Sequence, residues 1–245
     1  MAALGRVLQT GDLDGSLNMA IDEMLWEAAA AGMPYLRLYG WSNRPCFSLG
    51  YFQSGDEIRC VPEWRGLSFV RRMTGGGAIV HDGDLTFSLA LPTVLARRDP
   101  DDLYDRLHRA IAAELRSSGI PAVVEDSPVP SSKSDRLCFL RHDPFAVRVH
   151  QSKILGSAQR RRPASVLVQG SLLLTTSIVA PEIPGLQELI GHPVDRRLLD
   201  EAIVRAIQAA FRLDLHPVEL SPDFRSQAAE LAHEKYRSPA WNERR

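Results

Sequence analysis

A run of three glycines at residues 75–77 constrains the fold of this chain more than any other feature. It lies within the segment 71–82, which reads Arg-Arg-Met-Thr-Gly-Gly-Gly-Ala-Ile-Val-His-Asp. Apolar and polar residues nearly alternate after the glycines, which predicts a strand over residues 78–91, and residues 67–70 predict a strand before them. The glycines are therefore predicted to form the turn between two strands.

Glycine and arginine together suit a loop that surrounds a small anionic ligand. Glycine adopts positive φ and lets a ligand approach the main chain, while an arginine offers a planar cation to a carboxylate or phosphate. A glycine-rich hairpin with surface arginines explains the glycines about equally well. Segment 71–82 alone therefore leaves both interpretations open.

The composition is that of an ordinary globular protein, with 44% hydrophobic and 24% charged residues in a chain of 245. This length accommodates one large or two small domains. The net charge of −1 predicts no bulk attraction to nucleic acid or to a membrane surface. No apolar run reaches about 18 residues, and the N-terminus lacks a basic segment followed by an apolar core, so a cytoplasmic location is expected.

The cysteines argue against a disulfide framework and against a metal site. There are three, Cys46, Cys60 and Cys138, and no two of them form a Cys-x-x-Cys pair. So few cysteines suit a reducing compartment, and the missing spacing makes zinc binding unexpected.

Hydrophobic periodicity predicts helices and short strands in alternation. The predicted helices cover residues 17–31, 102–117, 198–211 and 226–236. The other predicted strands cover residues 35–39, 47–49, 121–125, 145–149 and 166–174, and a Pro- and Ser-rich loop is predicted at 127–135. This pattern predicts an α/β domain with a mixed or mostly antiparallel sheet, and it disfavours a doubly wound dinucleotide fold.

A second motif lies further along the chain. Cys138 is followed by Phe139, and segment 151–159 reads Gln-Ser-Lys-Ile-Leu-Gly-Ser-Ala-Gln. Together with segment 71–82, this motif resembles the lipoate–protein ligase and octanoyltransferase family, most closely its cysteine-dependent octanoyltransferase branch. Further matches lie in residues 18–23, 41–53, 235–236 and Trp241.

The resemblance spans residues 15–241 and implies a fold. It implies one catalytic domain over residues 1–245, like that of the biotin and lipoate protein ligases, with a mixed, mostly antiparallel sheet flanked by helices. No C-terminal accessory domain is expected.

The resemblance also implies two catalytic residues. Cys138 matches the nucleophile that takes the acyl group from a thioester, although most free cysteines are inert buried thiols. Lys153 matches the family's lysine, whose ammonium would stabilise the oxyanion or hold an acyl phosphate. Without the resemblance, a lone lysine at a strand end would be read as a surface residue.

Substrate contacts are implied for residues of both motifs, namely Arg72, Thr74, Gly75, Gly76, Gly77, His81, Gly156, Ser157 and Ala158. His81 and Asp82 could orient each other or contact substrate, although a histidine near a glycine loop is more often structural. The basic run 160–162 could meet an acidic carrier or acceptor domain, and a solvated basic loop is an equal alternative.

The chain departs from the family pattern at three positions. Gln169 stands where the family commonly has a histidine, and Ala146 where an acidic residue is usual. Gly77 stands where the cysteine-dependent transferases often carry arginine. These departures leave the substrate and the activity open.

Three functions are therefore considered. The first is transfer of an octanoyl or lipoyl group, through a Cys138 thioester, to a lysine of a lipoyl domain; the donor would be an acyl carrier protein or a lipoyl protein, and no cofactor is expected. The second is an ATP- and magnesium-dependent lipoate–protein ligase, which the intact glycines 75–77 favour. The third, suggested by Gln169 and Ala146, is a lipoate-binding paralogue without turnover.

Overall fold

The fold is described from a computed structural model that covers residues 2–96, 99–126, 136–141 and 143–244. The predicted loop at 127–135 lies outside the described residues. No helix within these ranges is both long and apolar enough to cross a lipid bilayer.

The described residues form eleven strands and eight α-helices. The strands are β1 (Ala3–Leu13), β2 (Tyr35–Trp41), β3 (Cys46–Leu49), β4 (Phe69–Arg71), β5 (Ile79–His81), β6 (Asp84–Pro92), β7 (Ala122–Val124), β8 (Val147–Val149), β9 (Ser152–Arg161), β10 (Ser165–Leu173) and β11 (Leu213–Pro217). The α-helices are α1 (Gly15–Ala29), α2 (Asp56–Arg59), α3 (Thr93–Ala96), α4 (Pro100–Ser117), α5 (Leu186–Ile190), α6 (Arg196–Phe211), α7 (Pro222–Leu231) and α8 (Pro239–Asn242). Two 3₁₀ turns, Pro62–Trp64 and Cys138–Leu140, and a π-helical turn, Ala232–Tyr236, complete the set.

The strands form one large and one small sheet. The large sheet has the order β11-β1-β2-β6-β10-β9-β8-β7, and the small sheet has the order β4-β3-β5. Only β1 with its two neighbours, and β3 with β4, pair in parallel. The predicted α/β fold with a mixed, mostly antiparallel sheet is confirmed.

Helices cover both faces of the large sheet. The stripe Leu103, Leu107, Ile111 and Leu115 places α4 in one core, together with α6. Helices α1 and α7 pack in a second core on the other face, around Trp26 and Trp41. Asp14 begins α1 by accepting hydrogen bonds from the amides of Ser16 and Leu17, which fixes where the helix leaves β1.

The prediction of one strand over residues 78–91 is wrong. The segment forms β5 in the small sheet and β6 in the large sheet, and the chain turns between them at Gly83, where φ is +101°. Only glycine adopts this conformation without strain. Apolar residues stand close on both sides of the break, Val80 before it and Leu85 after it, which is why the segment reads as one strand.

The glycines at 75–77 lie between two strands, as predicted, but these two strands do not form a hairpin. They connect β4 to β5, and these two strands lie on opposite sides of β3. The segment therefore passes across the end of β3, and we call residues 74–77 the glycine loop.

Several elements were missed by the sequence analysis. Strand β9 covers residues that the prediction placed between strands, and β1 and β11, at one side of the large sheet, were not predicted at all. The last predicted helix, 226–236, begins earlier as α7 and ends in the π-helical turn. Strands with many polar residues, such as β1 and β11, give a weak period-two signal, so sequence alone identifies them poorly.

Candidate active site

A cavity of about 280 Å³ lies beside the glycine loop, between the small sheet and strands β9 and β10. Apolar and aromatic side chains from α1, β2 and β5 form part of its wall: Met19, Tyr39, Trp41 and Ile79. Every residue that the sequence resemblance assigned to the site lines this cavity, except Thr74 and Gly77. The fold therefore brings the two sequence motifs together around one space.

Cys138 and Lys153 form the chemical centre of the cavity. The Lys153 ammonium donates to Cys138 Sγ over 3.5 Å and to the Cys138 carbonyl oxygen over 3.0 Å. Cys138 lies in a 3₁₀ turn rather than at a strand, and its amide donates to the Ala78 carbonyl over 2.8 Å. This bond ties the candidate nucleophile to the chain that leaves the glycine loop.

Lys153 has a further partner that the sequence analysis missed. Its Nζ lies 2.6 Å from Oδ2 of Asp143. Burial opposes the ammonium, but the charges of Cys138 and Asp143 outweigh it, so the pKa of Lys153 is raised. Asp143 thus supplies a carboxylate near the lysine, while Ala146, at the position where an acidic residue was expected, is buried.

Position 156, three residues after Lys153, requires a residue without a side chain. A Cβ built on Gly156 would lie 2.7 Å from Lys153 Cε and 3.9 Å from Cys138 Sγ. Glycine at this position leaves the space through which the lysine side chain reaches Cys138. Ala158, two residues on, faces the glycine loop and would lie 3.8 Å from a Cβ on Gly76.

Arg72 lines the cavity, but the hydrogen bonds of its guanidinium go to other groups of the protein. One terminal nitrogen donates to the backbone and hydroxyl oxygens of Ser48, and the other to the carbonyl oxygens of Gly75 and Gly77. Burial lowers the pKa of its guanidinium to about 10, so it remains charged at neutral pH. In this structure Arg72 fixes the shape of the glycine loop, and a direct substrate contact stays a prediction.

Gly77 departs from the arginine expected in cysteine-dependent transferases, and its surroundings show why. A Cβ on Gly77 would lie 3.0 Å from the amide nitrogen of Cys138 and 3.1 Å from Cζ of Arg141. The guanidinium of Arg141 therefore lies beside the position from which an arginine at 77 would extend.

His81 is held by groups other than the one predicted. Its Nδ1 lies 2.9 Å from Asp84 Oδ2 and its Nε2 2.8 Å from the Ser48 hydroxyl, and the ring stacks on Trp41. The prediction that His81 and Asp82 orient each other is wrong, because Asp82 lies past the end of β5, in the bend before β6, and its carboxylate bonds elsewhere. Asp82 instead accepts a hydrogen bond from Ser177.

Asp84 completes this group. Burial raises the pKa of its carboxyl, but His81 and the hydroxyls of Ser171 and Thr86 outweigh burial and hold that pKa below its usual value. A buried carboxylate with these donors fixes the imidazole ring at the cavity wall.

Gln169, where a histidine was expected, joins the glycine loop to α1. Its Oε1 accepts from the Thr74 hydroxyl over 2.8 Å, and its Nε2 donates to Asp22 Oδ2 over 2.7 Å. Asp22 is itself paired with buried Arg37. Because the Gln169 amide donates and accepts at once, Gln169 can hold the glycine loop from the position where the family commonly has a histidine.

The basic run 160–162 lies along β9 and is largely engaged by the protein. Arg160 stacks over Tyr51 and donates to the Met73 carbonyl, and Arg162 pairs with Glu27. Contact of this run with a carrier protein remains a prediction.

Three residues of α4 also line the cavity and were missed by sequence reasoning. Asp101, Tyr104 and His108 lie on one face of the helix, beside its leucine stripe, and they run from exposed to buried. Their spacing of three and then four residues was the available signal. The described residues contain no cluster of three or more His, Cys, Asp or Glu placed to hold a metal ion.

The fold is that of the lipoate protein ligases. The putative lipoate protein ligase Ta0514 from T. acidophilum superposes with a TM-score of 0.81, at 23% identity over 98% of both chains. A lipoate-protein ligase A bound with ATP gives a TM-score of 0.80 at the same identity and coverage.

Comparison of sequences defines the family more narrowly than comparison of folds. The family model described as Lipoyl protein ligase A/B catalytic domain matches residues 14–192. Proteins named Octanoyltransferase LipM from Moorella thermoacetica and Symbiobacterium thermophilum are each 32% identical over 98% of both chains. The chain belongs to the lipoyl protein ligase A/B family, as the motifs indicated.

Proposed function

We propose that this protein transfers an octanoyl group from a thioester donor, through Cys138, to a lysine of a lipoyl domain. The observation that carries the proposal is that the Lys153 ammonium lies 3.5 Å from Cys138 Sγ within the cavity. An ammonium at this distance stabilises a thiolate and, later, the oxyanion of a thioester under attack. Full-length relatives named as octanoyltransferases support the same reaction.

The first step acylates the enzyme. The Cys138 thiolate attacks the thioester carbon of the donor, the new C–Sγ bond forms, and the bond to the donor sulfur breaks. The donor leaves as a thiolate that takes up a proton. The apolar wall at Met19 and Trp41 offers burial to the alkyl chain, worth about 0.8 kcal/mol for each methylene.

The second step forms the amide. The uncharged amine of the acceptor lysine attacks the acyl-enzyme carbon, the C–N bond forms, and the C–Sγ bond breaks. Cys138 leaves as a thiolate, and the proton that the amine loses passes to solvent. The acyl group is held as a thioester both on the donor and on Cys138, so this route consumes no ATP.

Mass spectrometry of the protein after incubation with octanoyl carrier protein tests the proposal. One octanoyl group is expected on the Cys138 peptide, and hydroxylamine should remove it as it does other thioesters. Cys138→Ser should lose both the adduct and transfer to a lipoyl domain. The matched control is Cys60→Ser, since Cys60 is exposed and lies outside the cavity.

A second assay offers free octanoate or lipoate with ATP and magnesium. Product in this assay, retained in Cys138→Ser, would favour the ligase over the transferase. Absence of product with either donor would favour the binding protein without turnover.

A further inference from the structure

A polar arm of the cavity leads from solvent along α4 towards the catalytic pair. Asp101 is exposed, Tyr104 is half-buried and His108 is buried, and all three line the cavity on one helix face. Ser157 of β9 lies opposite His108. We call these four residues the α4 channel.

The hydrogen bonds of His108 define which of its nitrogens carries a proton. Nδ1 lies 2.6 Å from the Phe145 carbonyl oxygen, which can only accept, so Nδ1 is the donor. Nε2 of the neutral ring is then an acceptor, and it lies 2.8 Å from the Ser157 hydroxyl. Ser157 therefore donates its proton to His108 and keeps its oxygen lone pairs for another donor.

The surroundings favour uncharged groups at the inner end of the channel. Burial, followed by the charge of Lys153, lowers the pKa of His108 to about 4. The same burial and the same ammonium would favour the uncharged form of any amine that arrived there. At the outer end, the exposed carboxylate of Asp101 would attract the cationic form.

The channel meets the reacting atoms at Ser157. Gly156, the preceding residue, lies against both Lys153 and Cys138, since a Cβ there would be 3.9 Å from Sγ. Ser157 and Cys138 line the same cavity, and Lys153, which contacts Cys138, is close enough to His108 for its charge to lower the pKa of the ring. An amine hydrogen-bonded to Ser157 would therefore share this cavity with an acyl group on Cys138.

From this geometry we propose that the α4 channel admits the side chain of the acceptor lysine, and that Ser157, oriented by His108, positions its amine. The inference rests on the proposed function. The amine donates one N–H to Ser157 Oγ, which turns its lone pair towards the acyl carbon. Ser157 and His108 are positioning residues, and neither takes the amine's proton, which passes to solvent.

Separating the two half-reactions tests this assignment. Acyl-enzyme formation is followed by mass spectrometry with octanoyl carrier protein, and transfer from isolated acyl-enzyme to an apo-lipoyl domain is followed in single turnover. Ser157→Ala should slow transfer by roughly ten- to a hundredfold, the range for a misplaced nucleophile, and should slow acylation at least tenfold less.

The role of His108 is tested by His108→Asn. The shorter asparagine keeps a donor for the Phe145 carbonyl but has no acceptor at the position of His108 Nε2, which Ser157 contacts. Transfer should fall as in Ser157→Ala, and the double variant should be no slower than the slower single one, because the two residues act as a unit. Independent structural roles would make the two losses multiply and would overturn the assignment.

The outer end of the channel is tested through the acceptor KM. Asp101→Asn should raise the KM for the lipoyl domain with little change in kcat, because the exposed carboxylate steers the lysine rather than positioning it. Asp102→Asn is the matched control, since the neighbouring carboxylate pairs with Arg106 and does not line the cavity.

Two results would overturn the inference while leaving the proposed function intact. If Ser157→Ala slows acylation as much as transfer, the channel serves the donor or the fold. If it slows neither step, Ser157 does not position the amine. If the unaltered protein forms no acyl-enzyme, the proposed function itself fails, and with it this inference.

Discussion

Gly50 packs so closely against Gly76 that a Cβ built on Gly50 would overlap the Gly76 carbonyl oxygen. Gly76 has a φ of +86°, in the left-handed region that favours glycine, and Arg72 holds the loop by donating to the carbonyl oxygens of Gly75 and Gly77 on either side. The path of the glycine loop therefore depends on the absence of a side chain at the end of β3, twenty-six residues earlier.

Gly50→Ala should accordingly displace the loop. We expect a loss of about 1–3 kcal/mol in the free energy of unfolding, as for other overpacked sites, and at least a tenfold loss in acyl-enzyme formation. Urea unfolding and mass spectrometry measure the two effects. Gly55→Ala, where the φ is −60° and the nearest atom is 3.5 Å away, is the control. Unchanged stability and rate in Gly50→Ala would show that the loop moves freely.

Replacing Lys153 tests the catalytic pair directly. Lys153→Ala should lower the rate of acyl-enzyme formation on the order of 10²–10³-fold, the cost of one preorganised oxyanion contact. Lys153→Arg should not restore it, because the larger guanidinium has to fit between Asp143 and Gly156. The melting temperature of each variant, measured beside its rate, separates catalysis from folding. An unaltered rate in Lys153→Ala would contradict both enzymatic mechanisms.

Asp143→Asn should change the pH dependence of acylation. Burial opposes the Lys153 ammonium, and Cys138 and Asp143 together raise its pKa above the ordinary value. Removing the carboxylate lowers that pKa, so the rate should begin to decline at a lower alkaline pH than in the unaltered protein. The measurement is a pH profile of single-turnover acylation between pH 6 and about 11. Coinciding alkaline limbs would mean that Asp143 does not support the ammonium.

His108 should make the protein sensitive to acid. Burial lowers its folded pKa to about 4 from 6.5, so between these values the unfolded chain binds the proton more readily. The stability contributed is complete above pH 6.5 and is lost as pH falls towards 4, by about 3 kcal/mol. Urea unfolding at several pH values should show a shallower decline in His108→Asn. The control is His192→Asn, which replaces an exposed histidine, and its stability should decline with falling pH as in the unaltered protein. Equal slopes in all three proteins would contradict a buried, neutral His108.

The sequence alone was sufficient for the parts of this protein that depend on local patterns. The leucine stripe of α4 and the sheet-forming alternation of β6 and β10 depend on residues close in sequence, and these elements were found. The glycine loop and the motif around Lys153 are contiguous strings, so their resemblance to a family was visible without a structure. The fold class followed from both.

Other features required the tertiary structure, because they depend on turns and strand register. The turn at Gly83 sends β5 and β6 into different sheets, and no alternation pattern reports it. It also pairs His81 with Asp84 rather than Asp82. The carboxylate of Asp143 on Lys153 and the bond between His108 and Ser157 join side chains from separate elements. Local sequence sets the conformation of each element, but only the packed sheet and helices determine which side chains meet, since a contact between distant residues leaves no periodic trace in the chain.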